Sequence, residues 1–245
     1  GNKGWIGMIV CIDPGHGGQD PGAVAGGITE KEINLKVALL TMRMIEAHGA
    51  DVVMTRGRDI YVSHSARAET ANKAKADLFV SIHHNAAAST AARGLEIYHS
   101  VVSGEGKRLA GFIHQRYHVL IPELSTRGIR TRVREDGRDY YAVIRLTAMP
   151  AIIIEGGFLT NTNDAKLIKQ QHFQERQAQA ISQGVVLWRG GSIMPEVPEW
   201  KKEGLQWLEE KGFIMTDRWR ADDALDMGTL GVILSRLSIT GKVDE

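Results

Sequence analysis

Three short apolar segments of this sequence each run directly into a polar cluster. Ile12 leads into Asp13-Pro14-Gly15-His16-Gly17-Gly18, Ile82 into His83-His84-Asn85, and Ile154 into Glu155-Gly156-Gly157. Segments this short and this rich in β-branched residues read as strands. Runs at 8–12, 52–54, 78–82, 95–98 and 151–154 share that character. Helical patterns cover 29–48, 65–75, 106–119 and 164–187 between them. The alternation predicts an α/β fold, a mixed, largely parallel twisted sheet flanked by helices on both faces. Ligands of such sheets bind beyond the carboxyl ends of the strands. Three polar clusters delivered to that edge are more than packing requires.

Composition narrows the chemistry. The chain has 245 residues, 43% hydrophobic and 24% charged, which excludes a disordered or fibrous chain. A formal charge of +1 makes no case for nucleic-acid binding. No apolar run approaches the ~18 residues of a membrane span. One cysteine, Cys11, excludes an intramolecular disulfide and a thiolate zinc module. Its place inside a strand predicts an inert buried thiol. The nine histidines are then the candidates for metal chemistry.

The chain divides near position 190. Residues 1–190 form the main domain, 191–199 a linker containing Pro195 and Pro198, and 200–245 a small helical tail. The tail is acidic, with 7 basic and 11 acidic residues over 192–245 against 23 and 18 before it. The opening Gly1-Asn2-Lys3-Gly4-Trp5 lacks the basic and apolar pattern of a secretion leader.

The polar clusters invite specific roles. The glycines around His16 bring backbone close to a ligand and leave the imidazole unobstructed. The order of those glycines fits neither a dinucleotide fingerprint nor a P-loop. At 29–32, Thr29 is a good N-cap and Glu32 holds the capping-box position, which leaves Glu30 free to project. Glu30 is either a ligand or a complement to the helix dipole. His83 and His84 are strand neighbours and face opposite ways, and face parity leaves the choice between them open. Two imidazoles and one carboxylate with an open fourth position make a catalytic zinc set. A separate carboxylate must then carry the proton to the leaving amine. Glu155, after an apolar strand, is the candidate; a buried ion-pair partner is the alternative.

Together these segments resemble the zinc-dependent N-acetylmuramoyl-L-alanine amidases of the type-3 amidase family, bacterial cell-wall hydrolases and phage lysins. The resemblance spans residues 8–188. It rests on the 12–18 and 81–85 motifs, Glu30-Lys31 with Asn34-Leu35, Met54-Thr55-Arg56 with Asp59, Arg67 with Ala71-Asn72, Arg127-Gly128-Ile129, and Met149-Pro150-Ala151 leading to 155–161. It implies one Zn²⁺ held by His16, Glu30 and His83, with Glu155 as the catalytic carboxylate. It also implies hydrolysis of the amide joining N-acetylmuramic acid to L-alanine in peptidoglycan, at the bacterial cell wall, by a secreted or phage-released enzyme. The rival readings are a zinc peptidase cutting within the stem peptide and a non-catalytic wall-binding protein.

Two positions depart from the family pattern, which often has a small residue at His84 and an apolar one at Gly156. His84 is expected to pack or lie exposed, with a place behind the ligands or a substrate contact as the alternatives, and Asn85 to orient the site through hydrogen bonds; Arg127 is expected either to bind a stem-peptide carboxylate through its guanidinium fork or to take a surface or structural role. Arg56, Asp59, Arg67 and Asn72 are expected to hold loops and helix ends. The tail resembles the helical pair of S-layer-homology modules in one short copy, through Trp200, Gly212-Phe213-Ile214, Asp222 and Leu230 to Arg236. Such modules bind wall polymers.

Overall fold

A computed structural model describes residues 7–102, 104–191 and 193. The chain divides into two units, Gly1–Ser192 and Ile193–Glu245. The expected tail at 200–245 and most of the expected linker lie outside the described residues.

Eight strands and six helices follow one another along the described chain: β1 (Ile9–Pro14), β2 (Val24–Ala25), β3 (Ile28–Thr29), α1 (Glu30–Ala47), β4 (Asp51–Met54), α2 (His64–Lys73), β5 (Leu78–Asn85), β6 (Leu95–His99), α3 (Gly104–Leu120), β7 (Thr126–Arg130), α4 (Ala142–Leu146), β8 (Ala151–Phe158), α5 (Thr162–Ile168) and α6 (Gln171–Trp188). Six strands form one sheet in the order β4-β1-β5-β8-β6-β7. Every neighbouring pair is parallel except β6–β8, where Glu96 lies opposite Glu155 and Ile97 opposite Ile154. This is the expected mixed, largely parallel sheet.

Strand periodicity sorts the central residues between two cores. Val80 and Ile82 pack with residues of α1, α3 and α6, such as Val37, Ile113 and Ile181. Phe79 and Cys11 pack on the other face with Ala71, Val143 and Ile144 of α2 and α4. A strand buried on both faces carries continuous apolar runs, as β8 does from Ala151 to Ile154. Cys11 is buried as expected, and burial pushes its thiol up to about 12, so it stays protonated.

Several boundaries differ from the sequence expectation. The strand expected at 78–82 continues through His83 and His84 to Asn85, and the one expected at 151–154 continues through Glu155 to Phe158. The helix expected over 164–187 is two, because the chain turns at Lys169–Gln170 and the Gln174 side chain donates to the Ile168 carbonyl at 2.8 Å. The capping box at α1 does not form. Thr29 occupies the N-cap but is paired with Val24 in the β2–β3 hairpin, its side chain makes no capping bond, and Glu32 is exposed. The first helical N–H groups are satisfied by backbone instead: Glu30 donates to the Ala23 carbonyl and Lys31 to that of Pro21.

Candidate metal centre

The turn after β1 is held open by two buried guanidinium groups. Arg67 donates to the carbonyls of Pro14 (2.6 Å), His16 (2.7 Å) and Val62 (2.9 Å). Arg56 donates to those of Pro14 (2.9 Å) and Gly15 (2.8 Å). Arg67 also pairs with Asp13 at 2.7 Å. Asp59 accepts from the Gly18 N–H and from Lys31, and Asn72 ties α2 to residues 146 and 148. These four residues hold loops and helix ends, as expected.

Within that turn His16 has φ +61°, a left-handed conformation that costs a non-glycine residue of order 1 kcal/mol or more. Gly15 is required because the ring of His83 crosses above it. A Cβ at 15 would lie 2.1 Å from His83 Cε1.

Glu30, first residue of α1 and buried, stands between the two imidazoles. Its Oε2 is 3.2 Å from His16 Nε2 and its Oε1 is 3.0 Å from His83 Nδ1. The rings meet edge to face with centroids 4.9 Å apart. One ligand atom from each of His16, Glu30 and His83 falls within 4.8 Å of the others, a group able to hold a metal ion. Asp20 Oδ2 lies 2.9 Å from His16 Nδ1, the carboxylate–histidine arrangement that leaves Nε2 for a cation. Burial favours the neutral form of Glu30, but the hydrogen bonds and charges of His16 and His83 outweigh it and hold the carboxyl far below the usual range. Burial likewise lowers the His16 pKa, and Glu30 and Asp20 reverse this to leave it raised. The donor set, two imidazole nitrogens around a committed carboxylate, fits a divalent cation that displaces the protons they hold in its absence.

His83 and His84 divide as strand neighbours must. His83 faces the cluster. His84 is buried with 1% exposure on the opposite face, its Nδ1 2.9 Å from Asn34 Oδ1 and its Nε2 3.2 Å from Gln177 Oε1. Burial above all lowers its pKa to about 4. The expectation of substrate contact at His84 is therefore corrected: its ring packs away from the cavity. It supports the cluster twice over: its backbone N–H donates to Glu30 Oε1 at 3.2 Å, and its ring braces Asn34, which donates to the same oxygen at 3.2 Å. Gly156 stands under the Gln177 amide: a Cβ there would lie 2.4 Å from Gln177 Nε2 and 3.1 Å from His84 Nε2, so Gln177 above all leaves no room for a side chain.

Glu155 lies beside His83 in the β5–β8 register and opposite Glu96 on β6. Its Oε2 is buried and has no hydrogen-bond partner. Burial first, then the charges of Glu30 and Glu96, raises its pKa well above the usual carboxylate value. It opens, with His16 and His83, onto a cavity of about 550 Å³ whose other walls include Arg67, His64, Arg134, Tyr140 and Tyr141.

Asn85 and Arg127 do not line that cavity. Asn85 donates to Glu96 Oε2 at 2.9 Å and Arg127 to Glu96 Oε1 at 2.6 Å. Asn85 thus acts on the carboxylate opposite Glu155. For Arg127 the substrate-binding alternative gives way to the structural one, because its Nε is engaged by Glu96. Sequence reasoning missed Asp20 and Glu96. Asp20, four residues after His16, carried a spacing signal; Glu96 had none before strand pairing was known.

The sequence model of the N-acetylmuramoyl-L-alanine amidase family matches residues 10–186. The chain belongs to this family. It is 38% identical over 185 residues to the N-acetylmuramoyl-L-alanine amidase LytC of Bacillus subtilis, covering 74% of this chain and 35% of that one. It is 30% identical to the amidase AmiC of Neisseria meningitidis, over 76% of this chain and 54% of the relative. The chain thus spans about a third to a half of those relatives. Among solved structures, the catalytic domain of the amidase CwlV from Bacillus (Paenibacillus) polymyxa superposes with a TM-score of 0.68 at 33% identity, covering 76% of this chain and 99% of that domain. Among the described residues no helix is long and apolar enough to cross a membrane.

Proposed function

We propose that this amidase-family chain hydrolyses the amide between the lactyl group of N-acetylmuramic acid and L-alanine in peptidoglycan, at the bacterial cell wall, with one Zn²⁺ held by His16, Glu30 and His83. The observation that carries the reading is the unpartnered, buried Oε2 of Glu155 on the same cavity as the two imidazoles. When bound, zinc polarises a scissile carbonyl and brings the pKa of water from 15.7 to about 7. Glu155 takes the proton at Oε2 as water attacks the amide carbon. It returns that proton to the alanine nitrogen as the C–N bond breaks. No serine or cysteine nucleophile is required. His16 and His83 need neutral imidazoles for the ion, and Asp20 fixes the ring of His16 in the orientation that offers Nε2.

Digestion of purified wall, with products read by mass spectrometry, tests this. The expected products are glycan strands without stems and stems with free L-alanine amino groups, formed only by zinc-loaded protein. New ends inside the stem would make the protein a peptidase. Wall binding without release of either product would make it a binding module. The tail at 200–245 is proposed to attach the enzyme to wall polymers; a truncation at Ser192 that binds purified walls as tightly as the full chain would exclude that role.

A further inference from the structure

The chain leaves β7 at Arg130 and makes a hairpin over 131–141. Val133 and Asp139 form a bridge, Tyr140 N–H donates to the Arg132 carbonyl at 2.8 Å, and Arg134 N–H donates to that of Arg138 at 2.9 Å. Asp139 anchors the hairpin. Its Oδ2 accepts from the Ser100 hydroxyl (2.7 Å), its Oδ1 from the Val101 N–H (2.9 Å), and its carbonyl from Arg145 (2.6 Å). Arg132 lies 3.8 Å over the Tyr140 ring. The hairpin is therefore fixed, and it sets Arg134, Tyr140 and Tyr141 in the wall of the cavity that holds His16, His83 and Glu155.

The charges on that wall differ in what they have left to give. Arg67 is spent on Asp13 and three carbonyls. Asp20 is taken by His16. His64 has its pKa lowered, by burial first and then by the charge of Arg67, and so is not a standing cation. Arg134 is different. Its ion-pair partner, Asp136, sits 3.7 Å from Nε, beyond hydrogen-bond reach. Asp136 is already held by Arg138 at 3.0 and 2.6 Å. The Arg134 side chain is about half exposed, at 49%. A guanidinium with its donors in hand, on a rigid hairpin at the mouth of a site that processes an acidic peptide, is built for a carboxylate.

We propose that Arg134 is the subsite for a carboxylate of the stem peptide, so that the enzyme selects stems bearing that carboxyl free over stems bearing it as the amide. The proposal rests on the amidase reading above. It replaces Arg127, which Glu96 occupies. Two carboxyls share this chemistry, that of the second stem residue and that at the carboxyl end of the stem.

Three synthetic muramyl tripeptides distinguish them: one with all carboxyls free, one amidated at the second residue, one amidated at the carboxyl end. kcat/KM is measured for zinc-loaded wild type, R134Q and R134K. The expected result is a loss of about 10- to 100-fold for wild type on one of the two amidated substrates, which identifies the position. R134Q should lose the same factor on the free acid, cleave that amidated substrate at the wild-type rate within about twofold, and retain one zinc per chain. R134K should keep part of the preference, since an ammonium offers charge without the fork. Equal wild-type rates on all three substrates would overturn the subsite while leaving the amidase reading intact. An equal fall of R134Q on all three would also overturn it. Failure of wild type to cleave any of them at the lactyl amide would overturn the amidase reading and the subsite with it.

Discussion

Asp13 and Glu155 are carboxylates on β1 and β8, and both line the same cavity. Asp13 is saturated. Arg67 pairs with it, Thr55 donates at 2.5 Å and Ser81 at 2.6 Å. Burial opposes its ionisation, but the Arg67 charge and these bonds overcome it and lower its pKa. Glu155 has burial without a cation, two neighbouring acids and an oxygen with no partner. The same residue chemistry yields a paired anion on one strand and an unpartnered acid of raised pKa on another. Partnership separates the two, and burial alone does not.

The comparison can be broken by mutation. The largest effect is expected for Glu155→Gln, which should lower turnover by about 10²- to 10⁴-fold with zinc content unchanged. Its denaturation midpoint should equal or exceed that of wild type, because an unsatisfied acid is replaced by a neutral group. Near wild-type turnover would remove Glu155 from the chemistry. Asp13→Ala should do the reverse, lowering folding stability by about 3–5 kcal/mol, since Arg67 is left as a buried, uncompensated charge. Urea denaturation measures it, and a loss below ~1 kcal/mol would show that Asp13 is not the anchor its contacts describe.

The pH dependence of stability, measured on zinc-free protein in chelator, should carry both signs at once. The folded pKa of Asp13 lies below its unfolded value. Its contribution is therefore present above about pH 4 and is lost as pH falls through the folded value, so the deficit of Asp13→Asn should fade in acid. The folded pKa of Glu155 lies above its unfolded value. Its contribution is present below about pH 4 and is lost as pH rises through the folded value, so Glu155→Gln should gain on wild type toward neutral pH. Parallel profiles for the two variants would end the distinction. The smallest effect is expected for Arg127→Ala, about 0.5–1 kcal/mol in the same assay, because its pair with Glu96 is partly exposed and Arg130 stands 3.4 Å from the same oxygen.

Much of this was legible before any coordinates. The central strands announced themselves because burial on both faces demands continuous β-branched runs, and the polar clusters stood out because they ended those runs. β7 was not legible. Thr126-Arg127-Gly128-Ile129-Arg130 is an edge strand with exposed arginines and carries no apolar signature. α4 spans five residues, too few for a helical period to emerge. At the site, each residue of the His16–Glu30–His83 group belonged to a local motif, whereas Glu96 acquires its place only because β6 runs antiparallel to β8 and brings it opposite Glu155. Asn34 needed α1 to be seated on the sheet before its amide could be placed against Glu30. Pairings between distant segments are set by tertiary packing, which a one-dimensional pattern does not contain.

The left-handed backbone at His16 has a further consequence. A glycine there would relax without cost, so the fold keeps an imidazole at a position its own sterics disfavour. What resists the relaxation is the pair of arginines gripping carbonyl oxygens at 14, 15 and 16. The aim of one candidate ligand is thus governed from α2 and from the segment after β4, so a loosened grip at either would first be felt as a wandering ring.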